Sequence, residues 1–158
     1  MGNMISEPNA KILARPWVKT LLAEAGIAKL GTSNPHTHQP HVTPVWFEWD
    51  GTSLWISAFI STRKARDVER NPRISVLIDD HTSGKTARAV LMEGPAELIS
   101  DPEIVMERSS SVYTKYLGPK GVNEQGPASW VVDPENRMIK LTPTKIYTWG
   151  PAEDLTVV

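Results

Sequence analysis

His41-Val42-Thr43-Pro44-Val45-Trp46-Phe47-Glu48-Trp49-Asp50-Gly51-Thr52-Ser53-Leu54-Trp55-Ile56-Ser57-Ala58-Phe59, followed by Ile60-Ser61-Thr62-Arg63-Lys64-Ala65-Arg66, decides the fold. Two apolar, aromatic-rich runs flank Asp50-Gly51, the strongest short-range hairpin signal. Val42–Trp49 and Thr52–Ala58 are therefore expected to pair antiparallel. Leu54 to Phe59 reads as the strand proper, and Arg63 to Arg70 as a short helix closed by Asn71-Pro72.

Where that strand gives way to its helix, Ser61 and Thr62 supply hydroxyls, and Arg63, Lys64 and Arg66 supply positive charge. The first four N–H groups of a helix lack intrahelical partners, and the macrodipole adds about half a positive charge there. Cations in a first turn are unfavourable by a few tenths to about 1 kcal/mol each unless an anion is present, so a phosphate suits this corner. A second reading fits the local pattern and is the commoner one: Thr62 caps the helix while Arg63 and Lys64 lie in solvent.

Outward from this stretch, Trp17, Val18, Leu21, Leu22 and Ala25 recur at helical spacing behind Pro16, after a helix-start signal at Ser6-Glu7-Pro8. Ile27 to Gly31 reads as a strand, Thr32 to Pro40 as a polar loop, and His41 to Trp49 as the next strand. Arg73 to Asp79 alternates as another. Asp80 to Lys85 reads as a loop. Ala87 to Ser100 makes a long strand bent at Gly94-Pro95, because glycine marks bulges and proline cannot donate to a ladder. Asp101-Pro102-Glu103 opens a helix running to about Leu117, Gly118-Pro119 stops it, and 118–128 reads as loop. Arg137 to Trp149 supplies one or two last strands around Pro143. Roughly six or seven mostly antiparallel strands with three helices describe a small α+β barrel, spanning residues 1–158 as a single domain.

Composition narrows the chemistry. The chain has 158 residues, 40% hydrophobic and 22% charged, with net charge −1, no cysteine and six tryptophans. The basic cluster at 63–66 is local and not part of a stripe, which argues against nucleic acid and for a small phosphorylated ligand. Without cysteine there are no disulfides, thiolate nucleophiles or sulfur metal ligands. No run approaches the ~18 apolar residues of a membrane span, and Met1 to Ala14 carries no apolar core of a leader, so a cytoplasmic location is expected and no membrane partner.

Other constellations are weak. His36, His38 and His41 lie in or beside a polar loop without the fixed second shell that a metal needs, so no metal is expected. Gly84-Lys85-Thr86 lacks the earlier glycine of a phosphate-binding loop, since Asp79 stands there, and it opens no helix. Glu48 and Asp50 flank Trp49 and are expected to face solvent at a strand end. No nucleophile or acid–base set emerges and the catalytic residues stay unassigned, which places the chemistry in a bound cofactor. Trp46, Phe59, Trp130 and Trp149 are candidates for the wall beside a substrate, and equally for core or subunit packing.

His41-Val42-Thr43-Pro44-Val45-Trp46, the hairpin, Ile56-Ser57, Thr62-Arg63-Lys64 and Asn71-Pro72-Arg73-Ile74-Ser75-Val76, in that order and spacing, resemble the pyridoxamine 5′-phosphate oxidase-like superfamily of flavin- and deazaflavin-binding split β-barrels. A weaker echo runs from Ile139-Lys140-Leu141-Thr142-Pro143 to Trp149. The resemblance implies a homodimer with cofactor at the subunit interface. It implies that His41, Val42, Thr43, Pro44, Val45 and Trp46 follow the isoalloxazine edge with backbone hydrogen bonds. Ile56 and Ser57 would then lie beside the ribityl chain, and Thr62, Arg63 and Lys64, next to Ser61, would hold the phosphate. FMN is the expected cofactor, serving an oxidoreductase that moves hydride at flavin N5 to or from a small conjugated substrate. The alternatives are the deazaflavin coenzyme F420, whose longer acidic tail needs further cations near Arg66, Arg70 or Lys85, and a flavin-binding protein without turnover. The C-terminal Arg and His signature of true pyridoxine-phosphate oxidases is missing after Arg137, which argues against vitamin B6 oxidation.

Overall fold

In a computed structural model, residues 7–81 and 87–150 are described. Ser6 of the helix-start signal and Gly84-Lys85-Thr86 lie outside them. The elements are α1 (Glu7–Leu13), α2 (Pro16–Ala23), β1 (Ala28–Ser33), β2 (Pro40–Val45), β3 (Glu48–Trp49), β4 (Leu54–Phe59), α3 (Arg63–Arg70), β5 (Arg73–Asp80), β6 (Arg88–Ile99), α4 (Pro102–Gly121), α5 (Gln125–Val131), β7 (Asn136–Leu141) and β8 (Lys145–Trp149). Every strand pair is antiparallel, and the path runs β2-β1-β5-β6-β7-β4-β3, with β8 also on β6. This curled sheet is the expected α+β split barrel, with two elements more of helix and one more strand than the sequence suggests.

Strand alternation separates two apolar layers. Leu54, Ile56, Ile139 and Leu141 point into the barrel with Leu30, Phe47, Val76 and Met92, all without solvent exposure. From the opposite face of β4 and β7, Trp55 and Met138 pack with Val105, Val112 and Tyr113 of α4 and with Val131. Side chains two apart share a face, so one register places both sets.

The long strand β6 changes partners at the expected bend. Up to Glu93 it lies between β5 and β8, and from Ala96 it pairs with β7. A side chain at Gly94 would stand 2.6 Å from the Thr142 carbonyl oxygen and 2.9 Å from the Thr144 nitrogen, both backbone. Only glycine lets the two strands approach this closely.

The expected hairpin is largely overturned. β2 pairs with β1, from Ala28↔Val45 to Ser33↔Pro40, and only Glu48 and Trp49 pair with β4. The chain leaves β2 at Val45, and Phe47 turns fully into the core, so the barrel corner splits what the apolar pattern presents as one strand. The turn itself stands: Gly51 has φ 98°, and the Asp50 carboxylate accepts from the N–H of Thr52 (2.8 Å) and Ser53 (2.7 Å) and from the Trp55 indole (2.8 Å). Burial opposes the Asp50 charge, but those donors and Arg108 outweigh it and hold the carboxyl below its usual range. Glu48 accepts from the Ser111 hydroxyl. Asp50 is exposed as expected but engaged by these donors, whereas Glu48 is half-buried against α4.

Residues 118–128 are not simply loop. Gly118 breaks the helix as expected, at φ 77°, yet the chain resumes a turn after it and then forms α5. Glycine and proline in Gln125-Gly126-Pro127 hide this helix from propensity. Tertiary packing of buried Val131, and of Trp130 edge-on to Tyr113 at 5.7 Å, selects it.

Phe47 sits outside any ladder, and α4 serves its backbone. Tyr116 Oη accepts from the Phe47 N–H (3.2 Å) and donates to the Gly26 carbonyl (2.6 Å), while Lys115 Nζ donates to the carbonyls of Phe47 and Leu22, both at 3.1 Å. Burial pushes the Lys115 ammonium down to about 8, with Glu48 opposing.

Two outcomes follow from this frame. Gly94→Ala, which forces backbone against backbone, is expected to lower stability by about 1–3 kcal/mol in urea unfolding. Lys115 binds its proton more weakly folded than unfolded, so the unfolded chain carries the extra proton between about pH 8 and 10.5. The stability of the native chain relative to Lys115→Met should therefore rise as pH increases from 7.5 to 9.5. A fall over that interval would contradict the assignment.

Candidate functional site

The sheet path ends on one side at β2 and on the other at β3 and β4, and these ends do not pair with each other. Among the described residues, β2 has a strand partner on one edge alone, and β4 meets β3 only at Leu54 and Trp55. Alternate N–H and C=O groups of both strands thus remain free for another partner.

A pocket of about 420 Å³ lies at this split. Pro44, Val45 and Trp46 from the end of β2, Ser57 from β4 and Lys64 from α3 border it, joined by Ile27 and by Tyr113 from α4. Trp46 forms a rigid wall because it stacks on Tyr116, with centroids 4.7 Å apart and planes at 5°, and meets the edge of Tyr113 at 6.1 Å.

The anion corner is more finely divided than the sequence suggests. Thr62 adopts the extended backbone of an N-cap, but its hydroxyl donates back to the Phe59 carbonyl (2.7 Å) and makes no cap. The leading N–H groups of the eight-residue helix α3 are consequently left without a side-chain acceptor. Lys64 is half-buried on the pocket, has no ion pair or hydrogen bond among the described residues, and is lowered in pKa by burial. An uncompensated cation beside open helix N–H groups fits a phosphate, and the flat Trp46 wall beside an open strand edge fits a planar ring.

Arg63 faces elsewhere. Its guanidinium lies 3.5 Å from Asp67, which is buried and accepts from the Thr32 hydroxyl at 3.0 Å. Arg63, Arg66 and Arg70 border a neighbouring basin of about 580 Å³ together with His36. Three guanidinium groups there outnumber two carboxylates, Asp67 and Glu69.

The remaining sequence candidates fall around the pocket without bordering it. Ile56 is fully buried in the barrel core, and Val42 is 67% exposed on the outer face. His41 lies on β2 opposite Thr32, and Ser61 is exposed just before α3. Thr43 carries a buried hydroxyl with no partner among the described residues, an orphan polar atom on the open end strand. Sequence reading missed Tyr113 and Ile27. The spacing Ser109, Val112, Tyr113, Tyr116 marks the buried face of α4, but not what lies under it.

Ser57 and Tyr113 are coupled. Ser57 Oγ donates to Asn136 Oδ1 (2.9 Å), so the 2.8 Å bond between the two hydroxyls has Tyr113 as donor. Burial raises the Tyr113 phenol, against the Ser57 bond, and keeps it protonated.

Comparison with known proteins agrees with this architecture. The chain is 29% identical over 143 residues, 87% of this chain and 83% of the relative, to a 5a,11a-dehydrotetracycline/5a,11a-dehydrooxytetracycline reductase of Streptomyces rimosus. Among solved structures it is similar to conserved hypothetical protein Rv2991 of Mycobacterium tuberculosis, with TM-score 0.72, 26% identity, and coverage of 93% of this chain and 86% of that one. An F420 reductase shares the fold at TM-score 0.66 and 23% identity, over 82% of this chain and 94% of that one. The family described as pyridoxamine 5′-phosphate oxidase matches residues 15–150. With the curled sheet, its unpaired ends and the pocket between them in place, the chain belongs to the pyridoxamine 5′-phosphate oxidase-like split-barrel superfamily.

Proposed function

We propose that the chain is a reductase that holds a flavin-type cofactor in the split between β2 and β4 and acts on a small conjugated substrate. The observation that carries this reading is the convergence of Pro44, Val45, Trp46, Ser57 and Lys64 on one pocket at the uncapped start of α3. The relationship to a dehydrotetracycline reductase supports the reaction class.

A bound flavin supplies hydride transfer at N5. The chain's own tasks are to bind, orient and exclude water. Lys64 and the α3 N–H groups would neutralise the phosphate, and backbone groups left open on β2 would meet the polar edge of the ring. Trp46, fixed by Tyr116, restricts the ring's tilt.

FMN satisfies the pocket, and one observation favours the deazaflavin F420. Arg66 and Arg70 lie where a longer acidic tail would run beyond the phosphate, next to Arg63. Lys85, the third candidate cation, lies outside the described residues. Fold likeness to an F420 reductase is consistent with either cofactor, since it shows the fold alone.

The reading includes a homodimer, in which a second copy covers the open pocket. Ile27, 43% exposed, and Val42 on the outer face are the apolar surface beside it that such a partner would bury. A cytoplasmic protein of this kind would have neither nucleic acid nor membrane as partner, and among the described residues no helix is long and apolar enough to cross a membrane.

Fluorescence titration separates the cofactors. Arg63→Ala with Lys64→Ala should weaken both FMN and F420 severely, for FMN chiefly through Lys64, whose charge-assisted contact is worth on the order of 1.5–3 kcal/mol. Arg66→Ala and Arg70→Ala should weaken F420 by about threefold each, as exposed pairs do, and leave FMN unchanged. Equal binding by the Arg63/Lys64 double variant would remove the proposed placement. Stopped-flow mixing of reduced holoprotein with an unsaturated ketone tests turnover. A cofactor that is never reoxidised would instead mark a binding protein without catalysis.

A further inference from the structure

Among the described residues that border the pocket at the split, two titrate, Lys64 and Tyr113, and neither a carboxylate nor an imidazole joins them. Lys64 stands in the first turn of α3, the corner suited to an anion. Tyr113 comes from α4, and its hydroxyl lies 2.8 Å from Ser57 Oγ, which also borders the pocket. Trp46 and Trp130 hold its ring in T-shaped contacts at 6.1 and 5.7 Å, so the phenol is fixed in place. Burial keeps it protonated.

Hydride reduction of a conjugated ketone leaves negative charge on the carbonyl oxygen, and that oxygen needs a proton. An enolate and a phenolate are of comparable basicity, so a phenol is matched to the task. The two residues behind Tyr113 can release its hydrogen. As the structure stands, Tyr113 donates to Ser57, Ser57 donates to Asn136 Oδ1 (2.9 Å), and Asn136 Nδ2 is buried without a hydrogen-bond partner among the described residues. A half-turn of the amide about Cβ–Cγ sets Nδ2 on Ser57 Oγ. The Ser57 hydrogen then passes to Tyr113 Oη, and the Tyr113 hydrogen is free for an acceptor in the pocket. The half-turn exchanges an unpaired donor for an unpaired acceptor, and every contact in it lies within the chain.

Resting on the reductase reading, we propose that Tyr113 is the catalytic acid of this pocket, giving its phenolic proton to the carbonyl oxygen of an α,β-unsaturated ketone, with Ser57 and Asn136 as positioning residues that set the direction of its hydrogen. In that step the β-carbon takes the hydride and its electron pair from the reduced flavin-type cofactor. The C=C pair moves to the bond between the α-carbon and the carbonyl carbon, and the carbonyl π pair goes to oxygen. That oxygen takes the proton as the Tyr113 O–H bond breaks. The cofactor ends oxidised and the ketone ends as its enol, while Ser57 donates to the phenolate until solvent returns a proton to it.

The test compares the native chain with Tyr113→Phe, which keeps the ring between Trp46 and Trp130 and removes the hydroxyl alone. Both are studied as holoprotein, with cofactor saturating by fluorescence. On the oxidised holoprotein, where no reduction takes place, the infrared band of 2-cyclohexenone labelled with ¹³C at the carbonyl should move to lower frequency on binding to the native chain. In Tyr113→Phe it should return to its position in an apolar solvent. Reoxidation of the reduced holoprotein by the same ketone, followed in a single turnover, should slow by about a hundredfold or more in Tyr113→Phe, as loss of a general acid does. A carbonyl band that is the same in both chains, or equal reoxidation rates, would overturn the proposal and leave the reductase reading standing. A native chain that binds no flavin-type cofactor, or whose reduced cofactor the ketone never reoxidises, would overturn both.

Discussion

Phe47 must be inside the barrel, and its backbone cannot be inside a ladder. That conflict, at the corner where the chain passes from β2 to β3, organises the functional half of the molecule. A fully buried peptide group without strand partners costs more than a typical net hydrogen bond returns. Helix α4 resolves it with two consecutive side chains, Tyr116 on the N–H and Lys115 on the carbonyl. Each also reaches the segment around α2, at Gly26 and Leu22, so one helix turn ties three parts of the chain together. Tyr116 then has its ring flat against Trp46, and Tyr113, three residues earlier on the same face, reaches the pocket and Ser57. The wall of the site and the repair of the corner are the same few residues.

The same geometry explains what the sequence made legible. Leu54 to Arg73, strand then helix then strand, is read correctly to the residue at nearly every boundary, because each signal is local: apolar alternation, an N-cap position, Asn71-Pro72. Gly94-Pro95 is legible for a similar reason, since no other residue pair bends a strand so readily. The break between β2 and β3 is not legible. Val42 to Trp49 carries one continuous apolar pattern, and only the requirement that Val45 and Phe47 share the barrel interior while β2 pairs with β1 divides it. Helix α5 and the role of α4 are hidden likewise, as both depend on which face of β4 and β7 is left uncovered. Within the site, Lys64 and the β2 terminus are visible from type and position, whereas Tyr113 and Ile27 arrive through tertiary packing alone.

Arg63 and Lys64 show how one motif can serve two separate surfaces. Adjacent helical residues point about 100° apart, so a pair written together in sequence need not meet one ligand atom. Lys64 is turned into the split and half-buried, without a counter-charge among the described residues. Arg63 is turned toward the tip of the β1–β2 connection and anchored by Asp67, itself fixed by Thr32. A carboxylate that restrains an arginine reduces the net charge of its basin but also lowers the entropy lost when that guanidinium meets an anion. On the proposed reading, the Arg63, Arg66 and Arg70 face would guide a tail and the Lys64 corner would anchor a phosphate.

The unpaired ends of the sheet set the remaining constraint. Most barrels remove edges by closing, and open sheets blunt them with charge, proline or bulges. Here Pro40 and Pro44 delete two of the donors on β2, and the short β3 leaves most of β4 unflanked. At the pocket the end of β2 meets Ser57 of β4. On the proposed reading, a ring lying there would take the place of the missing strand, meeting backbone groups of β2 and presenting an apolar face to Trp46. A planar heteroaromatic with polar atoms along one edge meets both demands, and a flexible chain meets only the first. On that reading the split would select for cofactor shape before any side chain selects for its charge.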